Sequence, residues 1–217
     1  MTEPYIPQRP GILKLVFEDA WLVVLCKPAG LLSVPGRGPS KQDCLLSRAR
    51  RVWPMADVVH RLDMETSGLM IFAKDLETKR AMSAKFENRR VWKRYEAIVY
   101  GRPDADFGEI DSPIGLDWPN RPRQKIDTHA GKPALTNWRF LAADQCNTRL
   151  DLRPFTGRTH QLRLHLASIG HPILGDRLYG PARARNAAAR LCLHAEGLRF
   201  AHPMTGALVS LVSRPPF

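Results

Sequence analysis

The chain has 217 residues, 44% of them hydrophobic, enough to bury a real core as one large domain or two small ones. Thirty-three Lys and Arg against 21 Asp and Glu give a net charge of +12, which suits a polyanionic partner as well as plain solubility. No apolar run approaches the roughly 20 residues that span a bilayer. The polar, Pro-rich start Met1–Gly11 lacks the apolar centre of a secretory signal and is expected to be flexible. Cys26, Cys44, Cys146 and Cys192 lie far apart with no CxxC pair, so free thiols, mostly buried, are expected in a reduced cytoplasmic setting.

Leu13–Phe17 and Trp21–Leu25 are short β-rich runs around a turn at Glu18-Asp19-Ala20. Lys27-Pro28-Ala29-Gly30 ends the second run, and Leu31–Gly38 reads as a loop. Its Pro35-Gly36-Arg37-Gly38 lacks the spacing and the following helix of a phosphate-binding loop. Asp43–Trp53 has helical spacing and carries Arg48, Arg50 and Arg51. Gly68–Ala73 is continuously apolar and expected as a buried strand. Leu76–Arg90 is expected as a helix with Met82 and Phe86 on one side.

Tyr95–Tyr100 is again strand-like, and Pro103–Pro133, rich in Pro, Gly and charge, is expected as an irregular excursion or a small insertion. Trp138–Leu141 and Thr148–Leu152 are expected as a hairpin, because Arg149-Leu150-Asp151-Leu152 alternates as a half-buried strand does. Thr159–Ile169 reads as a helix stopped by Gly170, with Pro172 beyond it. Pro181–Arg190 reads as a short Ala/Arg helix, and Leu191–Val212 returns to strand. With no repeat or linker, residues 1–217 read as a single mixed α+β domain.

Chemistry concentrates in a few places. Val59–Gly68 sets His60, Arg61, Asp63, Glu65, Thr66 and Ser67 against the apolar run that follows. On the residues alone two readings stand: an Arg61–Asp63 pair capping a turn, or a carboxylate kept ionised for catalysis at a core edge. In Thr156–His165, Arg158, Thr159 and a helix N-terminus offer donors to an anion, or form a solvated basic face. His160 and His165 are five apart and no HExxH exists, which argues against a metal. Tyr95, after Trp92-Lys93-Arg94, fits a core–solvent boundary or a functional role. Arg121, Arg123 and Lys125, held extended by prolines near Trp118, suit a nucleic-acid backbone with base stacking, or a solvated loop.

Taken together, His60-Arg61-Leu62-Asp63-Met64-Glu65-Thr66-Ser67-Gly68-Leu69 resembles the catalytic signature of the RluA family of RNA pseudouridine synthases. The resemblance continues in Lys27-Pro28-Ala29-Gly30-Leu31 and Lys93-Arg94-Tyr95-Glu96-Ala97. It extends to Gly157-Arg158-Thr159-His160-Gln161-Leu162-Arg163 and Gly170-His171-Pro172-Ile173-Leu174-Gly175-Asp176. One such segment is weak evidence, whereas five in the family's order are not coincidence.

The resemblance implies an α+β pseudouridine synthase fold, with a mixed, mainly antiparallel sheet flanked by helices and no preceding S4-type domain. It implies an isomerase that needs neither cofactor nor metal. Asp63 would be the essential carboxylate, Arg163 would keep it ionised, and Tyr95 would stack on the uracil. Arg61 and His60 would contact the RNA, and Arg121, Arg123, Lys125 and Arg158 would bind its backbone. Implied partners are a ribosomal RNA hairpin loop and the tRNA anticodon arm, with no membrane, no DNA and a monomeric protein. Two rivals are weaker. A glycoside hydrolase using Asp63 and Glu65 needs carboxylates roughly 5–9 Å apart across a cleft, hard to build from one extended segment. A non-catalytic RNA-binding protein would have no need of Asp63.

Overall fold

The computed structural model describes residues 5–7 and 13–217, so the flexible start expected at 1–11 falls largely outside the described residues. In chain order the first elements are β1 (Lys14–Glu18), β2 (Leu22–Lys27), α1 (Leu45–Ala49), β3 (Asp57–Val58), β4 (Ser67–Ala73) and α2 (Leu76–Glu87). Next come β5 (Trp92–Tyr100), β6 (Phe107–Asp111), β7 (Ile114–Leu116), β8 (Gln124–Ile126), β9 (Leu135–Ala143) and β10 (Asn147–Pro154). The last are α3 (Gln161–Ser168), α4 (Ala182–Asn186), β11 (Leu193–Ala201) and β12 (Leu208–Val212). The fold is mixed α+β, and the pairs β1–β2, β2–β4, β3–β4, β5–β10, β9–β10, β6–β9, β7–β8 and β11–β12 are antiparallel. The chain forms two compact units, Met1–Val91 with Ala195–Arg214, and Trp92–His194 with Pro215–Phe217.

In the first unit β2 pairs with β1 and β4, β3 adds to β4, and β12 pairs with β11. β4 is buried at every position, which is why its sequence is apolar without alternation. Leu22, Val24, Leu69, Ile71, Leu198 and Phe200 pack with Met82 of α2 in one cluster. The Asp75 side chain caps α2 by accepting from Thr78 N–H, and the helix stops at Glu87, three residues short of the expected Arg90. The expected helix at 43–53 shrinks to one turn, closed by reciprocal bonds between Cys44 and Ser47.

In the second unit the order is β5-β10-β9-β6. Leu150 and Leu152 face a core of Ala97, Val99, Leu162 and Leu166, while Asp151 on the opposite face accepts from Arg94 and Arg153. Of the two expectations for 103–133, an irregular excursion or a small insertion, the irregular one is corrected: the segment contains β6, which edges this sheet, and the separate β7–β8 hairpin. Its prolines and glycines sit chiefly in the connections, so composition hid three short strands. The thiols are also uneven, with Cys44 and Cys192 buried, Cys26 partly so and Cys146 exposed.

Candidate active site

Asp63 is half-buried on the turn that leads into β4, and its carbonyl accepts from Thr66 N–H at 3.1 Å. The turn is fixed from several sides. Gly30 N–H donates to Met64 O at 2.9 Å. The Ser33 hydroxyl donates to Leu62 O at 2.6 Å and accepts from Leu62 N–H at 3.1 Å. Lys27, fully buried, donates from Nζ to the carbonyls of Pro28, Leu31 and Met64 at 2.7–2.9 Å. A buried ammonium is costly unless its donors are satisfied. Here three carbonyls satisfy it and clamp the Lys27–Leu31 loop to the Asp63 turn.

The other flank is equally fixed. Gly68 has φ +122°, and a Cβ there would lie 2.3 Å from Ala195 O, so only glycine fits. His60 accepts from Ile71 N–H at Nε2 (3.0 Å) and stacks on Phe86 with ring centroids 4.5 Å apart. The structure thus engages His60 in holding the signature segment to β4 and α2. Arg61 is exposed beside it. The backbone on both sides of Asp63 is thus tied at several points.

In the second unit, the segment read as one basic cluster separates into two sets. Gln161 uses all its amide capacity: Oε1 accepts from Thr156 Oγ1 (2.7 Å) and Arg158 N–H (3.0 Å), while Nε2 donates to Leu135 O and Thr136 Oγ1 (both 3.0 Å). The Thr136 hydroxyl is 2.9 Å from His165 Nδ1, and His165 Nε2 is 2.9 Å from Ser112 O. Burial pushes His165 below the usual imidazole range, against the opposing pull of the Ser112 carbonyl and the Asp111 charge. Thr156, Gln161 and His165 are therefore supports. Arg158, His160 and Arg163 are held by other partners, Pro133 O, Tyr179 and Asp176.

His160, the residue before α3, has φ 56°, a left-handed conformation unusual for a residue with a Cβ and typical of strained functional positions. The helix therefore starts at Gln161, later than the expected Thr159. Arg163 is bound by Asp176 through two buried hydrogen bonds, Nε to Oδ2 at 2.8 Å and an amino group to Oδ1 at 2.7 Å. Burial raises the Asp176 pKa, but the hydrogen bonds and charge of Arg163, with Leu178 and Tyr179 N–H, outweigh it and hold the carboxyl below its ordinary value. Gly175 sets this turn, since a Cβ there would meet Arg190 O at 1.9 Å. Tyr95 is half-buried against the Leu150–Leu162 core and pairs with Leu152.

Arg121, Arg123 and Lys125 are exposed. The prolines do not hold Arg121 and Arg123 extended as expected: Asp117 N–H to Arg123 O (3.1 Å) closes the hairpin tip into a turn. Within it the Arg121 guanidinium lies 3.9 Å over the Trp118 ring, and Lys125 on β8 pairs with Asp127 at 3.2 Å. Arg158 donates from Nε to Pro133 O at 3.1 Å.

Lys27, Ser33 and Asp176 lie in segments of the sequence that gave them no role of their own, and Tyr179 lies outside those segments. The available signals were a lysine ending an otherwise apolar strand and an acid directly after a turn glycine.

A family model described as RNA pseudouridylate synthase matches residues 21–168. The chain is 46% identical over 214 residues, 98% of each protein, to the dual-specificity RNA pseudouridine synthase RluA of Pasteurella multocida. It is 44% identical over 205 residues, 94% of each, to the Escherichia coli protein of the same name. Among solved structures, human RNA pseudouridylate synthase domain containing 1 is similar, with TM-score 0.79 and 29% identity over 97% of this chain and 87% of the other. Its counterpart domain containing 4 gives 0.74 and 26% over 94% and 88%.

Proposed function

Because the chain belongs to the RNA pseudouridylate synthase family and so isomerises uridine to pseudouridine in RNA, we propose that it acts on both a large-subunit ribosomal RNA hairpin loop and a tRNA anticodon arm. The supporting observation is the 46% identity, over 98% of both proteins, to a relative named for dual specificity.

The reaction breaks N1–C1′, turns the base and joins C5 to C1′; C5 loses a proton and N1 gains one. No electron is transferred, so the proposal needs neither redox cofactor nor metal. The base must first leave its stack, which costs a few kcal/mol and least in a loop. Asp63 is proposed to start the chemistry, as nucleophile at C1′ or as the base that opens glycal formation. Tyr95 would stack on the flipped uracil and help take the C5 proton. Arg163 would supply a fixed cation, and Arg61 would fill the space the base vacates. Arg121, Arg123, Lys125 and Arg158 would hold the backbone, which makes binding salt-dependent. A monomer working in the cytoplasm completes the proposal.

The test is tritium release from C5-labelled uridine in two RNAs, a tRNA anticodon arm and a ribosomal hairpin. Release from both is expected. Release from one alone would reduce the enzyme to a single-substrate synthase, and binding without release would leave only an RNA-binding protein.

A further inference from the structure

Tyr179, three residues beyond Asp176, touches two parts of the second unit that sequence reasoning kept separate. Its Oη accepts from Gln124 N–H at 2.8 Å and lies 2.9 Å from His160 Nδ1. The phenol and the imidazole share one hydrogen bond, with either group able to donate according to the imidazole tautomer. The Tyr179 N–H donates to Asp176 Oδ1 at 3.1 Å. The ring lies 5.6 Å from the Arg123 guanidinium and 5.5 Å from that of Arg163.

Gln124 opens β8, directly after the tip that carries Trp118, Arg121 and Arg123. β7 and β8 have three residues each and form a sheet of their own, a structure only marginally stable unless anchored. The apolar anchorage joins Ile114 and Ile126 to Leu164 and the Tyr179 ring. A polar anchor is the Tyr179 hydroxyl. The same side chain that ties the basic hairpin to the body also lies against the cation held by Asp176.

We propose that Tyr179 is a positioning residue for the isomerisation, coupling engagement of RNA by the β7–β8 hairpin to the placement of Arg163. The coupling rests on the function proposed above. The hydroxyl holds the start of β8, where the tip joins the strand, and through it the height of Arg121 and Trp118 over an RNA backbone. The ring limits where the Arg163 guanidinium can move on the side that faces Tyr179.

The decisive experiment is a double-mutant cycle on tritium release with Tyr179→Phe, which keeps the ring and removes the hydroxyl, and Arg121→Gln at the tip. Tyr179→Phe is expected to raise KM for RNA about tenfold with kcat changed by less than about threefold. Arg121→Gln should raise KM about fivefold in the wild type but under about twofold beside Tyr179→Phe, since the tip is then already misplaced. Tyr179→Leu should lower kcat as well. Additive effects of Tyr179→Phe and Arg121→Gln, or a Tyr179→Phe enzyme with wild-type KM, would overturn the proposal. Should Tyr179→Phe fail to fold, Gln124→Pro, which removes the N–H that donates to the hydroxyl, replaces it in the cycle with the same criterion. Wild-type enzyme that releases no tritium would refute the proposed function instead.

Discussion

Arg163 and Asp176 meet through two parallel hydrogen bonds, with 4% and 1% of their side chains exposed. Such a pair gains little over an apolar replacement of both partners, but losing one strands the other in a low-dielectric site. Asp176→Ala is therefore expected to lower unfolding free energy by about 3–5 kcal/mol in urea titration at neutral pH. A loss under about 1 kcal/mol would mean that the guanidinium finds compensation elsewhere. Because the Asp176 carboxyl is held below its ordinary value, this stability exists above the unfolded-state pKa and is lost as pH falls through the folded one.

Gln161 makes four hydrogen bonds inside the second unit, to Thr156, Arg158, Leu135 and Thr136. Gln161→Leu keeps the volume and removes every one of them. At about 1–3 kcal/mol for each buried group left without a partner, a loss of about 3 kcal/mol or more is expected. Thermal unfolding of the variant checks this, and a melting temperature within about two degrees of wild type would contradict it.

His165 gives a different pH signature. Burial holds its folded-state pKa below the ordinary imidazole value, so the unfolded chain binds a proton that the folded chain refuses. Stability should therefore be full above about pH 6.5 and decline as pH falls from there toward the folded-state value. His165→Gln should flatten that segment of a melting-temperature profile. A variant with an unchanged profile would remove His165 as the cause.

The sequence pattern made some layers plain and hid others. β4 was legible because a strand buried on both sides reads as a continuous apolar run, here from Gly68 to Ala73, and α2 because its polar face needs solvent. Asp63 was legible only through its neighbours in the signature, since an ion pair capping a turn has the same composition. The β6–β8 strands were hidden because each is three to five residues long and lies in a stretch rich in Pro, Gly and charge. Asp176 as partner of Arg163 was hidden because a contact 13 residues apart leaves no periodicity. The clamp made by Lys27 was hidden for a similar reason, as its three acceptors are carbonyls, which no side-chain pattern reports.

That clamp supplies a further prediction. Lys27→Met keeps the stem in its buried slot and removes the donors that tie Leu31 O to Met64 O beside Asp63. A displacement of about 1 Å at a reacting group can cost about a hundredfold in rate. Lys27→Met is accordingly expected to lower kcat about 100-fold with KM for RNA within about threefold. Steady-state tritium release measures both, and a kcat within about threefold of wild type would show that the turn holds its shape without the ammonium.

The most direct test of Asp63 as the essential carboxylate is tritium release from C5-labelled uridine by Asp63→Asn, with RNA affinity measured in parallel. Release should fall to background while the dissociation constant stays within about threefold of wild type, because the amide keeps the shape and loses only the charge. Release by Asp63→Asn at a rate comparable to wild type would contradict the assignment and move the chemistry to another residue.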